Sequence, residues 1–294
     1  MDFSDYKRRI RALGRDITPD LVAQTQALVA SLVAAEPPPD CRVQRDVRYG
    51  SHERNRLDIF TANEDDTASR ATLIYVHGGA FVMGDKHTPG SPFYSNIGHW
   101  AAAQGFVGVT LTYRLAPQHQ WPSGIEDLHH AIQFLRHEGK RYGVGQGPLF
   151  LMGQSAGATH VAGYIAHPEI YQGYAHELAG AILLSGIYDF TSYTTGPTEA
   201  AYLGTDQSRY GERSALRGLV ESDVPLLVSV AEMDPPLFEQ QGLQLLSALH
   251  TRHGQLPRFV HALGQNHISP ALFLGLENDL LAPQLLAFIH DHAG

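Results

Sequence analysis

The chain has 294 residues, 43% of them hydrophobic, a formal net charge of −9 and one cysteine, Cys41. The acidic balance argues against a binder that tracks nucleic-acid phosphates, and a lone cysteine excludes an intrachain disulfide or a thiolate metal cluster. No apolar run approaches the roughly 20 residues that span a bilayer, and the mixed-charge start Met1–Ile10 lacks the apolar core of a signal peptide. A soluble, cytoplasmic α/β protein with no membrane or nucleic-acid partner is the expectation.

Residues 2–13 and 19–35 read as two helices, the second opened by Thr18 as N-cap with Pro19 in the first turn. Leu21, Val22, Leu28, Val29 and Leu32 recur there at helical spacing. Glu36–Asp40, with three prolines, stops that helix and acts as a stiff linker, so residues 1–40 form an N-terminal helical segment separate from a domain over 41–294. From Arg42 the period changes to two. Residues 42–49 and 56–61 predict a hairpin around Gly50–Asn55, Asn63–Arg70 a loop, and Thr72–Val76 a buried strand.

Beyond it, helices over 93–104, 123–138, 156–167, 236–252 and 270–290 alternate with strands over 106–112, 148–152, 180–185, 225–230 and 257–262. An initial antiparallel hairpin followed by such alternation predicts a mostly parallel central sheet with helices on both faces. In such sheets the chemistry sits at the carboxyl ends of the strands. One interval breaks the rhythm. Between Ser185 and Pro225 lies a long stretch rich in Tyr, Thr, Gly and Ser, read as a cap insert over 190–222.

Gly153-Gln154-Ser155-Ala156-Gly157 joins a predicted strand to a predicted helix. A turn this sharp strains the serine backbone, leaves no room for side chains at the flanking glycines, and aims the helix N-terminus at the serine. A serine hydroxyl is a weak nucleophile until a histidine takes its proton and a carboxylate orients that histidine. Asp234 and His267 each follow a later predicted strand and are the candidates. Glu232 is the nearer rival acid and Asp223 the more distant one, while His261 lies inside a predicted strand. Asp234 also precedes two prolines, where an aspartate can serve only as a helix N-cap.

His77-Gly78-Gly79-Ala80-Phe81 follows another strand, and glycines there let backbone N–H groups approach a reacting carbonyl. Gly78, Gly79, Ala80 and Ala156 are the candidate oxyanion-hole residues. The 17 histidines raise the question of a metal. There is no HExxH, and His129–His130 and His250 with His253 lack carboxylates at useful spacing, so no metal is expected.

These pieces resemble the hormone-sensitive-lipase-like branch of the α/β-hydrolase carboxylesterases. The matching residues are His77–Phe81, Tyr113-Arg114-Leu115-Ala116-Pro117 with Pro122 and Asp127, Gly153–Gly157, Asp234-Pro235 and His267. The resemblance implies an α/β-hydrolase fold and a serine esterase for small-molecule esters, short-chain or aryl, that needs no cofactor. It also implies structural roles for Arg114 and Asp127, and a small helical cap made from the N-terminal helices with the 190–222 insert. Two departures stand out: Gln154 where the family usually has Asp, and Ala80 where it has a third glycine.

Leu57–Phe60 and Ser185-Gly186-Ile187-Tyr188-Asp189 are also similar to kynurenine-formamidase-like and feruloyl-esterase-like relatives. An arylformamidase or amidase of the same fold is therefore the alternative, and a ligand-binding protein without catalysis the rival from another class. Phe3, Tyr6, Trp121, Tyr188, Tyr193 and Phe238 are candidate pocket walls. Oligomeric state is not legible in the sequence, a homodimer being one option.

Overall fold

A computed structural model describes residues 3–33, 40–62, 69–171 and 178–294. The Glu36–Asp40 linker and the loop over 63–70 lie almost wholly outside these residues. Two helices, α1 (Phe3–Leu13) and α2 (Pro19–Ala30), precede the sheet. Thr18 caps α2 by accepting from the Leu21 N–H at 3.1 Å. Then come β1 (Cys41–Arg48), β2 (Arg56–Ala62), β3 (Thr72–Val76), α3 (Ser95–Ala103), β4 (Val107–Leu111) and α4 (Ser123–Glu138). The chain continues through β5 (Leu149–Gln154), α5 (Ala156–Ala166) and β6 (Leu178–Leu184), then three short helices, α6 (Pro197–Leu203), α7 (Tyr210–Arg213) and α8 (Leu216–Glu221). It ends with β7 (Leu226–Met233), α9 (Pro236–His253), β8 (Arg258–Asn266), α10 (Ser269–Phe273) and α11 (Ala282–His292).

The eight strands form one sheet in the order β1-β2-β4-β3-β5-β6-β7-β8. β1 pairs antiparallel with β2, and β2 with β4; every later pairing is parallel. β3, β4 and β5 are buried at every position, which is why they read as continuous apolar runs rather than alternating ones. One face packs under α4, α5, α8 and α9 through Leu128, Val161, Leu219 and Leu245. The other packs under α3 and α11 through Ile97, Trp100, Leu285 and Phe288. This is the α/β-hydrolase fold, as expected.

Three elements differ by more than three residues from their predicted bounds, the first being the helix expected over 19–35, which ends at Ala30. The strand expected over 257–262 runs on to Asn266, carried past a register shift in its pairing with β7 by Gly264, whose φ of +76° suits glycine. The helix expected over 270–290 is two helices. Gly275 (φ +85°) and Asn278 (φ +66°) turn the chain, and the Asp279 carboxylate accepts from the N–H groups of Gly275, Leu281 and Ala282. Apolar spacing carries across that turn and hides it, although Gly275 and Pro283 mark it in the sequence.

Candidate active site

β5 ends at Gln154 and α5 begins at Ala156, leaving Ser155 alone in the turn at φ +55°, ψ −122°. Its N–H still donates to the Leu184 carbonyl of the neighbouring strand, at 2.9 Å. The flanking glycines are required by contact. A Cβ on Gly157 would lie 2.1 Å from the Val76 carbonyl oxygen, and one on Gly153 would lie 2.4 Å from the Gly157 carbonyl. Both obstacles are backbone and cannot swing aside.

β3 is the neighbour of β5, with Val76 opposite Gly153, so the loop leaving β3 meets the elbow directly. A Cβ on Gly78 would come within 3.2 Å of the Ser155 Cβ and 2.7 Å of the Gln154 Oε1. Gly79 (φ +131°), Ala80 (φ +49°) and Phe81 (φ +68°) then follow in left-handed conformations. Ala80 thus occupies a backbone region that favours glycine, which accounts physically for the family's preference at this position.

The loop is braced from outside. Tyr113 Oη donates to the His77 carbonyl at 2.9 Å, and the Ala116 N–H to the Phe81 carbonyl at 3.0 Å. The His77 ring stacks on Tyr113 at 4.4 Å, and burial pushes its pKa down to about 4. A neutral, enclosed His77 is an anchor rather than a rival base. Arg114 donates from its Nε and backbone N–H to Asp127 at 2.7–3.1 Å, so this pair holds the Tyr113–Pro117 segment on α4, in keeping with a structural role.

Farther along the same strand ends, beyond β7 and β8, His267 Nδ1 meets Asp234 Oδ1 at 2.6 Å, with both side chains buried. Asp234 Oδ2 accepts from the Ser185 hydroxyl at 2.6 Å and the Ala231 N–H at 2.7 Å. The carboxylate therefore points back into the site and does not serve as an N-cap for α9. Among the described residues His267 Nε2 has no hydrogen-bond partner, the Ser155 hydroxyl included. The rivals are accounted for elsewhere. Glu232 binds Arg11 (2.7 and 3.0 Å) and the Gly264 N–H (2.6 Å). Asp223 is exposed before β7, at the opposite end of the strands, and His261 faces solvent from β8.

Three features of this half escape sequence reasoning. Gln154 Nε2 donates to the His267 carbonyl at 2.6 Å, tying the elbow to the histidine loop across two intervening strands. An aspartate, the residue usual in the resembling family, has no hydrogen to donate there when ionised. Ser185 reaches Asp234. Phe238 lays its ring 4.1 Å from that of His267. A polar residue beside Ser155 is the only visible signal for the first; the other two depend on which segments meet in space.

The predicted cap elements sit on both flanks. Phe190, Tyr202, Leu203 and Tyr210 from the segment after β6 bury against Phe81 and Ala156. α1 and α2 pack with Phe93, Leu272 and Phe273, and two hydrogen bonds tie them to the approach to His267: Tyr6 Oη to Gln265 Oε1, and Asn266 Nδ2 to Thr25 Oγ1, both 2.8 Å. Tyr6 and Tyr188 are buried core residues rather than pocket walls, whereas Trp121, Tyr193 and Phe238 are only partly buried. Among the described residues no three His, Cys, Asp or Glu side chains gather as metal ligands would, and no helix is long and apolar enough to cross a membrane.

Known proteins give this geometry a family. Over its whole length the chain resembles esterase B from Lactobacillus rhamnosis, solved with a tributyrin phosphonate, with a TM-score of 0.73, 19% identity and coverage of 99% of this chain and 96% of that one. The esterase of the archaeon Pyrobaculum calidifontis aligns with a TM-score of 0.69, 21% identity and coverage of 98% and 96%. At such identities the likeness is one of fold. In sequence, the esterase LipC of Mycobacterium tuberculosis is 30% identical over 167 residues, 54% of this chain and 40% of that protein. The isoprenylcysteine alpha-carbonyl methylesterase ICME of Arabidopsis thaliana is 31% identical over 121 residues, 41% of this chain and 27% of that one. The chain thus spans well under half the length of these curated relatives. The BD-FAE family model matches residues 57–245, which run from β2 through the elbow and Asp234 into α9 and make up more than half of the chain, and the protein belongs to that family.

Proposed function

We propose that this protein is a serine hydrolase of carboxylic esters, working through an acyl-enzyme on Ser155. The observation that carries the reading is the buried Asp234–His267 pair, with Nδ1 committed to the carboxylate at 2.6 Å, at the same ends of the parallel strands as the Ser155 elbow. A carboxylate that orients the imidazole through one ring nitrogen leaves the other as the candidate general base. His267 Nε2 takes the Ser155 hydroxyl proton as Oγ bonds to the ester carbonyl carbon. The electron pair of the carbonyl moves onto its oxygen, where the N–H groups of Gly79, Ala80 and Ala156 receive it, with Gly78 letting the loop lie close to the elbow. Collapse expels the alcohol, which takes the proton from His267. Water then attacks the acyl-enzyme by the same route and releases the acid. Asp234 holds the tautomer and stabilises the imidazolium between these transfers.

Esters are preferred over amides because the sequence relatives and fold neighbours described above all bear esterase names. Small-molecule esters are the proposed substrates, with the segment after β6 and the N-terminal helices proposed to shape the choice of acyl group. Ser155→Ala is expected to remove hydrolysis of p-nitrophenyl butyrate by roughly 10³-fold or more while the protein stays folded, and to abolish labelling by a fluorophosphonate probe. Near-native turnover in that variant overturns the assignment. A wild-type protein that never labels is a binding protein instead. Faster cleavage of an aryl formamide than of an aryl ester of matched size makes it an amidase.

A further inference from the structure

Two serines end neighbouring strands in the same unusual way. Ser155 follows β5 at φ +55° and Ser185 follows β6 at φ +50°; each sends its N–H to the next strand's carbonyl at 2.9 Å, Leu184 for the first and Ser229 for the second. The first is the candidate nucleophile. The second is buried, and its hydroxyl donates to Asp234 Oδ2 at 2.6 Å. Left-handed backbone is costly for a residue with a Cβ and is retained where something else depends on it. Glycine would take that conformation freely, and a hydroxyl is what glycine lacks.

We infer that Ser185 is a positioning residue for the acid of the site. A fully buried carboxylate needs donors on both oxygens. Asp234 spends Oδ1 on His267, and Oδ2 rests on the Ala231 N–H and the Ser185 hydroxyl. The backbone donor lies three residues away on the same strand end and moves with the aspartate. Ser185 comes from a different strand and therefore fixes the carboxylate relative to the sheet. Without it the carboxylate can rotate about its own Cβ–Cγ bond, and Oδ1 no longer holds the imidazole in one plane.

The inference rests on the acyl-enzyme reading and is tested separately from it. Ser185→Gly relieves the backbone and removes the hydroxyl. The expectation is a melting temperature within a few degrees of wild type, a kcat for p-nitrophenyl butyrate lower by roughly tenfold, and a KM within twofold. Ser185→Ala is expected to lose the same factor in kcat while melting lower, since it keeps the strained backbone. Placed on Asp234→Asn, the Ser185→Gly change is expected to add nothing, because the two act as one unit. A Ser185→Gly protein with kcat within twofold of wild type overturns the inference, as does a full further loss in the Asp234→Asn background. An Asp234→Asn protein that keeps wild-type turnover sinks the triad reading itself, whatever Ser185 does.

Discussion

The two halves of the site are held by different means. On the Ser155 side, that serine and the His77–Phe81 loop are fixed by backbone packed on backbone, with Gly153, Gly157, Gly78 and Gly79 at positions where a Cβ would meet main-chain or elbow atoms within 3.2 Å. On the histidine side, Asp234 and His267 are fixed by side chains that converge from four places: Ser185, Gln154, the Asn266–Thr25 contact and the Tyr6–Gln265 contact. Backbone packing fails all at once when a single atom intrudes. A hydrogen-bonded frame loosens by degrees as its members are removed.

The largest expected effect is on the backbone-held side. Gly157→Ala places a Cβ 2.1 Å from the Val76 carbonyl oxygen and 2.7 Å from that of His77, so β3 and α5 must separate. A loss of about 4 kcal/mol in unfolding free energy and of nearly all esterase activity is expected, measured by denaturant titration and initial rates. If this variant keeps both, the contrast between the halves is wrong.

The nucleophile side also carries a pH dependence. Burial pushes His77 down to about 4 and His160, enclosed by Phe81, Tyr113 and Tyr202, down to about 3. Both lie below the unfolded-chain value of about 6.5, so below that pH the unfolded state binds protons first. Their stabilising effect is intact above pH 6.5 and erodes as pH falls toward 4, by about 3 kcal/mol for His160 alone. His160→Gln is expected to flatten that slope in melts taken from pH 7 to 4. An unchanged slope would place the acid sensitivity elsewhere.

The smallest effect belongs to the side-chain frame. Gln154→Met keeps the bulk and removes the donor to the His267 carbonyl, for an expected cost of roughly 1–2 kcal/mol in stability and roughly tenfold in kcat. Graded loss of this kind, with KM little changed, would sharpen the comparison; a collapse as complete as that of Gly157→Ala would erase it.

The Ser155 side is far more legible in sequence, and its means of support explain why. Backbone packing demands glycine at set offsets, so Gly153, Gly157, Gly78 and Gly79 appear as local motifs beside the strands they end. Asp234 and His267 are legible as candidates from their positions after strands, because chain order and strand ends are local properties too. Glu232 and Asp223 drop out only once Arg11, Gly264 and the opposite end of β7 are seen in place. The break at Gly275–Asp279 inside an expected long helix was masked by apolar spacing that persists on both sides of it.

By itself, then, the order of elements determined a mostly parallel sheet, and the small-residue turns determined where Ser155 stands, since both follow from short-range backbone sterics. Only the tertiary structure decided that Ser185 reaches Asp234, that Gln154 reaches His267, and that Tyr6 is core rather than pocket wall. Those contacts join residues 49, 113 and 259 positions apart. A hydrogen bond across such a distance leaves no spacing to read, because the sheet order that closes it is a property of the whole chain.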